Sequence, residues 1–248
     1  MALSTAAAGF AKRVDEYVAG RPDYPPEVLA ALPSAETIVE LGAGTGKFTR
    51  VLIGRAKRVV AVEPLPEMAA RIPQGGDTGI EVINAKAEAV PLPDGTADLV
   101  CCATSYHWFD YPEAANEIHR LLKPGGHLAL LWNRRDSNVP WVGEFSKLIE
   151  GYSKDSRRFG SDYWRQIFTN PNFERVGDYA FPFVHRMPVS GIVDRAFSTS
   201  YIAQLPEAEA ADLRAKLAAL IERHDTLRSA TEVEFPYIAL LYLLKRVP

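Results

Sequence analysis

The chain has 248 residues, 47% of them hydrophobic, with a formal net charge of −3 and a pI near 6.0. That length and apolar fraction suit one large α/β domain with an embedded or appended cap, and the mild acidity argues against the broad basic surface of a nucleic-acid-binding protein. No apolar run approaches membrane-spanning length and the start lacks early positive charge. The two cysteines, Cys101 and Cys102, are adjacent in an apparent buried strand, so we expect a cytoplasmic protein with reduced thiols, no disulfide framework and no metal site.

In chain order, Ala11–Val18 predicts a short helix ahead of the proline-rich connector Arg21-Pro22-Asp23-Tyr24-Pro25-Pro26. Next comes Ile38-Val39-Glu40-Leu41, a strand that breaks into Gly42-Ala43-Gly44-Thr45-Gly46 and then a helical segment from Lys47. Glycines there let the backbone turn sharply and approach a ligand, and the helix that follows points free amides at it. An ordinary tight turn gives the same pattern. The spacing differs from the G-x-G-x-x-G of a dinucleotide site, however, and Glu40 precedes the first glycine. A carboxylate at that place repels a pyrophosphate and suits a cation, which favours S-adenosylmethionine, a cofactor with an ammonium and a sulfonium but no phosphate.

Arg58–Val62 is a β-branched run that stops at Glu63-Pro64. An acid about 20 residues past a glycine loop, at the tip of the next strand, is a candidate ribose ligand, so Glu63 takes that role. Further strands are predicted at Gly79–Asn84, Ala97–Ala103 and His127–Trp132. Between the last two, Glu113–Leu122 is helical by the spacing of Ala114, Ile118, Leu121 and Leu122, and Lys123-Pro124-Gly125-Gly126 ends it. Alternating strands and helices imply a doubly wound parallel sheet covered on both faces. Beyond Asn133, Trp141, Phe145, Leu148, Ile149 and Tyr152 mark an amphipathic helix after Pro140, and Tyr163, Trp164, Ile167 and Phe168 mark another. Phe173–Val184 reads as extended. Pro206-Glu207 opens a helix with Leu213, Leu217, Leu220 and Ile221 on one face, and Glu232–Lys245 reads as a closing strand.

The motifs Glu40-x-Gly42-x-Gly44-x-Gly46, Val62-Glu63-Pro64, Ala85-Lys86-Ala87-Glu88, Ser105-Tyr106-His107-Trp108-Phe109 and Leu122-Lys123-Pro124-Gly125-Gly126 resemble class I S-adenosylmethionine-dependent methyltransferases. Tyr17–Pro25, His107-Trp108-Phe109 and Leu131–Asp136 further resemble the small-molecule branch that includes trans-aconitate methyltransferase-like proteins. The resemblance implies a Rossmann-like class I fold, a mostly parallel sheet with an antiparallel edge strand and helical insertions capping the active site. It divides the single domain into an N-terminal helix or lid (1–30), a cofactor-binding core (34–135), substrate-capping insertions (136–172 and 186–230) and a closing edge strand (231–248).

It also implies roles. Glu40, Gly42, Gly44 and Gly46 surround the methionine part of the cofactor, Glu63 binds the ribose, and Ala87 and Glu88 lie near the adenine, on which Pro64 and Met68 pack; Ala43, Thr45 and Ser105 are further cofactor-binding candidates. Tyr17, Arg21 and Tyr24 belong to a lid that excludes water. Trp108, Tyr106 or Tyr17 holds the sulfonium by cation–π attraction. His107 is the candidate acid or base, although a carboxylate acceptor, already ionised at neutral pH, needs none. Arg134, Arg135, Arg157, Arg158, Arg165 and Arg186 are candidate carboxylate contacts. The expectation is methyl transfer to a small-molecule acceptor, with a carboxylic acid as the candidate class, by a monomer or homodimer without nucleic-acid or membrane partners. A nicotinamide-dependent oxidoreductase and a non-catalytic cofactor-binding protein are the alternatives.

Overall fold

In the computed structural model, residues 20–75, 79–153 and 163–248 are described. Seven strands form one sheet in the order β3-β2-β1-β4-β5-β7-β6: β1 Thr37–Leu41, β2 Arg58–Val62, β3 Ile80–Ile83, β4 Ala97–Ala103, β5 Leu122–Arg135, β6 Phe173–Pro188 and β7 Glu232–Arg246. The first five are parallel, and the sheet has an antiparallel edge. β1, β2 and β4 are apolar almost without interruption because helices cover both faces of a parallel sheet. The chain leaves β1 for β2 and β3 on one side and returns on the other through β4. The carboxyl ends of β1 and β4 therefore flank the point where strand order reverses, the place where such sheets bind ligands.

By packing, the chain divides into two units. One comprises residues 24–133, 163–181 and 239–248. Val39, Leu41, Val60, Val62, Val100 and Leu130 are buried in its core. Helices α1 (Pro26–Ala31), α2 (Lys47–Val51), α3 (Pro66–Ala69) and α4 (Glu113–Leu121) belong to this unit. Cys101 and Cys102 are both free and fully buried.

The other unit comprises residues 20–23, 134–153 and 182–238. It contains α5 (Pro140–Glu150), α6 (Gly191–Phe197), α7 (Glu207–Arg223) and α8 (Asp225–Arg228). Its core joins Trp141, Val142, Phe145 and Ile149 of α5 to Leu213, Leu217 and Leu220 of α7 and Phe235 of β7. Trp141 meets the Phe235 ring edge-on at 4.8 Å.

Three local features differ from the expectation. β5 begins at Leu122, not His127, because Lys123-Pro124-Gly125-Gly126 is absorbed as an irregularity: Ala97 pairs with Leu122 and Leu99 already with His127. Tyr163–Thr169 is a 3-10 helix, and it packs with the sheet unit. The predicted extended run from Phe173 continues to Pro188. The expected helix at Ala11–Val18, with Tyr17, and the candidates Arg157 and Arg158 lie outside the described residues. Among the described residues no helix is long and apolar enough to cross a membrane.

Candidate functional site

β1 and β2 are in register from Thr37 opposite Arg58 to Leu41 opposite Val62, so the glycine bend leaves β1 beside Glu63. The Val62 carbonyl accepts both the Gly42 N–H at 2.9 Å and the Ala43 N–H at 3.0 Å. Gly42 has φ +68, and a Cβ there would sit 2.7 Å from Ser105 Cβ. No side chain fits. Gly44, at φ +60, presents its N–H to Glu63 Oε2 at 2.7 Å. Gly46, also left-handed, starts the short helix α2.

Glu63 is 5% exposed. Besides the Gly44 bond, its Oε1 accepts the Leu65 N–H at 3.0 Å, and Asn84 Nδ2 donates to its carbonyl at 2.8 Å. Burial raises its carboxyl above the usual range, and the two backbone N–H bonds oppose that rise. Glu40 is 1% exposed and accepts the Thr49 hydroxyl at 2.6 Å. Burial pushes Glu40 up to about 8; the Thr49 bond pulls it back, and the charge of Glu63 adds to the rise. Thr45 Oγ1 is buried in the same bend without a hydrogen-bond partner among the described residues. A bend that excludes a Cβ at Gly42, an orphaned hydroxyl and two buried acids with no basic partner among the described residues together fit a polar, cationic ligand.

At the tip of β4, Thr104 takes φ +56 and its Oγ1 lies 2.9 Å from the Tyr24 hydroxyl. A non-glycine residue in that region is a strained one, of the kind that gathers at binding sites. Ser105 Oγ then donates to the Leu41 carbonyl at 2.6 Å, tying β4 to the tip of β1. The 3-10 turn Tyr106–Trp108 follows. Trp132 Nε1 donates to His107 Nδ1 at 3.2 Å. An indole N–H only donates, so Nδ1 carries no proton and the neutral ring holds its proton on Nε2. His107 and Trp108 have ring centroids 5.0 Å apart.

Strand tips and the turns after them thus gather Glu40, Gly42, Ala43, Gly44, Thr45, Gly46, Glu63, Pro64 and Ser105. Met68 on α3 and Ala87 are buried at 3% and 5% exposure. Glu88 uses Oε1 to accept the Asp110 N–H at 2.9 Å, which anchors the turn after β4. Tyr106 is 2% exposed and packs in the core, whereas Trp108 is only partly buried; the third aromatic candidate, Tyr17, lies outside the described residues. Phe109 joins that core, edge-on to Tyr106 at 5.8 Å. Arg21 donates from Nη2 to the Ser198 carbonyl at 3.2 Å, within the helical unit. Sequence reasoning missed Thr49, Asn84 and Trp132. Of these, only Asn84 carried a signal, since it directly follows a predicted strand at the ligand-binding end of the sheet.

The family profile described as a methyltransferase domain matches residues 39–130. An uncharacterized methyltransferase-like protein of Schizosaccharomyces pombe is 34% identical over 246 residues, covering 96% of both chains. An uncharacterized methyltransferase of Mycobacterium tuberculosis is 32% identical over 235 residues, covering 92% of both. Among solved structures, a putative type II methyltransferase from Anaeromyxobacter dehalogenans superposes with a TM-score of 0.69 at 20% identity, over 92% of this chain and 97% of that one.

Proposed function

This chain belongs to the class I S-adenosylmethionine-dependent methyltransferases, and on that premise we propose that it methylates a small-molecule acid at a carboxylate oxygen. The observation that carries the choice of cofactor is the pair Glu40 and Glu63, two buried carboxyls with no basic side chain as partner among the described residues. A ligand that brings its own positive charge relieves both; one that brings a pyrophosphate aggravates both.

When bound, S-adenosylmethionine supplies a methyl group on a sulfonium centre open to in-line displacement. The chain's own residues position and shield. Glu40 releases its proton and faces the cationic end of the ligand. Glu63, with two of about four lone-pair positions taken by backbone N–H groups, accepts ribose hydroxyls with the rest. Thr45 Oγ1 gains the partner it lacks, Ala87 and Glu88 border the adenine with Pro64 and Met68, and the face of Trp108 attracts the sulfonium. The segment holding Arg21 and Tyr24 acts as the lid.

His107 acts as a hydrogen-bond donor through Nε2, because its other nitrogen is committed to Trp132. An ionised carboxylate is already a nucleophile, so no base is required, and holding donor and acceptor in line supplies roughly 7–11 kcal/mol of the barrier. Support for an acid as acceptor comes from the resemblance of the His107-Trp108-Phe109 and Leu131–Asp136 segments to the trans-aconitate methyltransferase-like branch. The test is incubation of the purified protein with methyl-labelled S-adenosylmethionine and a panel of mono-, di- and tricarboxylic acids. Base-labile methyl esters are expected. Transfer of label only to amines or carbon would refute the choice of oxygen.

A further inference from the structure

The connection from β3 to β4, residues 84–96, carries Ala87 and Glu88 and is built from turns and one isolated bridge, Lys86 with Ala89. With so little regular structure, its backbone polar groups need partners from elsewhere. They find them on α4. Glu117 Oε1 accepts the Val90 N–H at 2.6 Å. Arg120 donates from Nη2 to the Val90 carbonyl at 3.0 Å, and from Nη1 to the Leu92 carbonyl and to Asp94 Oδ1, both at 2.7 Å. Its Nε and Nη2 also donate to the two Glu117 oxygens, at 2.8 and 2.7 Å. A guanidinium has five N–H donors, and each has an acceptor here.

Helical spacing makes this clamp possible. Glu117 and Arg120, three positions apart, share one face of α4, beside the face on which Ala114, Ile118 and Leu121 are buried. Only 10% of the Glu117 side chain and 30% of the Arg120 side chain is exposed. Burial raises the Glu117 carboxyl, but the bonds from Arg120 and the Val90 N–H outweigh it and hold the group below the usual carboxylate range. The pair is therefore charged at neutral pH. At the other end of the segment, Glu88 Oε1 accepts the Asp110 N–H just past the Tyr106–Trp108 turn, and α4 begins soon after at Glu113. Segment, turn and helix close a ring, all of it within the sheet unit.

We propose that Arg120, with Glu117, is a positioning residue for the base of the cofactor: by fixing the backbone at Val90 and Leu92 it sets where Ala87 and Glu88 stand, and so sets the preference for adenine. The inference rests on the reading of Ala87 and Glu88 as the residues that border the adenine. The pair acts through the segment, not through contact with the base. A lysine at this place keeps the charge but brings one nitrogen in place of a planar fork, and cannot hold two carbonyls and two carboxylates at once. Hypoxanthine is the discriminating probe. It replaces the amino donor of adenine by a carbonyl acceptor and the N1 acceptor by an N–H donor, so it is rejected only while the donors and acceptors of the segment stand in place.

The test is calorimetry on the full chain with S-adenosylhomocysteine, the demethylated cofactor, and with its hypoxanthine counterpart, S-inosylhomocysteine; no acceptor is needed. Wild-type protein is expected to prefer adenine by about tenfold or more. Arg120→Lys and Glu117→Gln should each weaken S-adenosylhomocysteine binding about three- to tenfold and shrink the preference to about threefold or less. Leu244→Ala controls for lost stability alone: Leu244 is buried in the core of the same unit and takes no part in the clamp, so its loss should lower the melting temperature and leave the preference as in wild type. Melting curves identify a clamp variant that fails to fold, and the other then decides. A wild-type preference in the folded clamp variants, or an equal loss of preference in Leu244→Ala, overturns the positioning role. A wild-type protein that binds both ligands alike defeats the assignment of Ala87 and Glu88 and this inference with it, whereas binding of neither ligand defeats the methyltransferase reading itself.

Discussion

Glu40→Gln tests the cofactor site most directly, because it removes a titration without removing volume. In the ligand-free protein the Glu40 carboxyl is pushed up to about 8 by burial, against 4.5 for a free side chain. Between those two values the folded protein keeps a proton that the unfolded chain releases. Stability from this group is therefore fully present in acid and declines as pH rises through the window, by roughly 5 kcal/mol once pH passes the folded value. A cationic ligand reverses the preference by favouring the ionised carboxyl. Wild-type affinity for S-adenosylmethionine should then climb about tenfold per pH unit below 8, or roughly 30-fold from pH 6 to 7.5, before the ligand's own amino group begins to lose its proton. Isothermal titration in buffers of different ionisation enthalpy should show one proton released on binding. Glu40→Gln should flatten the affinity profile and slow the loss of melting temperature between pH 6 and 9. A flat wild-type profile, or a variant with the wild-type slope, would refute the reasoning.

Further outcomes concern the neighbouring residues. Glu63→Ala should weaken S-adenosylmethionine binding by about 1–3 kcal/mol in calorimetry, since charge-assisted acceptors are lost and Gly44 N–H loses its partner; unchanged affinity counts against a ribose contact. Gly42→Val places a branched side chain at φ +68 against Ser105, and a fall in melting temperature with cofactor binding abolished is expected. Thr45→Val exchanges an orphaned hydroxyl for a methyl, so the ligand-free protein should gain roughly 1 kcal/mol of stability while cofactor affinity falls about three- to tenfold; affinity that holds steady excludes the hydroxyl as a ligand contact. His107→Gln keeps an N–H donor, so kcat/KM should stay within about tenfold of wild type. A general base contributes about 100-fold or more, and a loss of that size would reinstate His107 in that role.

Much of the sheet was legible because its signals are local. β2 and β4 run between the residues expected, since a β-branched or apolar run flanked by polar or proline residues carries its own boundaries. The acids were legible for the same reason, each standing at a strand tip beside a glycine or a proline. Lys123-Pro124-Gly125-Gly126 misled because a proline and two glycines usually break pairing, whereas here a register irregularity opposite Ala97 and Leu99 lets β5 continue through them. Arg195 left no trace. In Gly191–Phe197 it looks like a solvated residue on a short helix, and only Tyr237, 42 positions further on, makes it a buried one. The Trp132 bond that fixes the His107 tautomer likewise links β5 to the turn after β4, 25 residues apart and beyond any helical or strand period.

A single dipeptide at the end of β2 governs the shape of the glycine bend: the Val62 carbonyl holds Gly42 and Ala43, and the Glu63 side chain holds Gly44. The bend is therefore cast before any ligand arrives, and little conformational freedom remains to be surrendered on binding. The same coupling limits evolution's options. A substitution that shifts β2 by a fraction of an ångström moves the bend and its carboxylate together, so the affinity of one half of the pocket cannot be tuned without retuning the other.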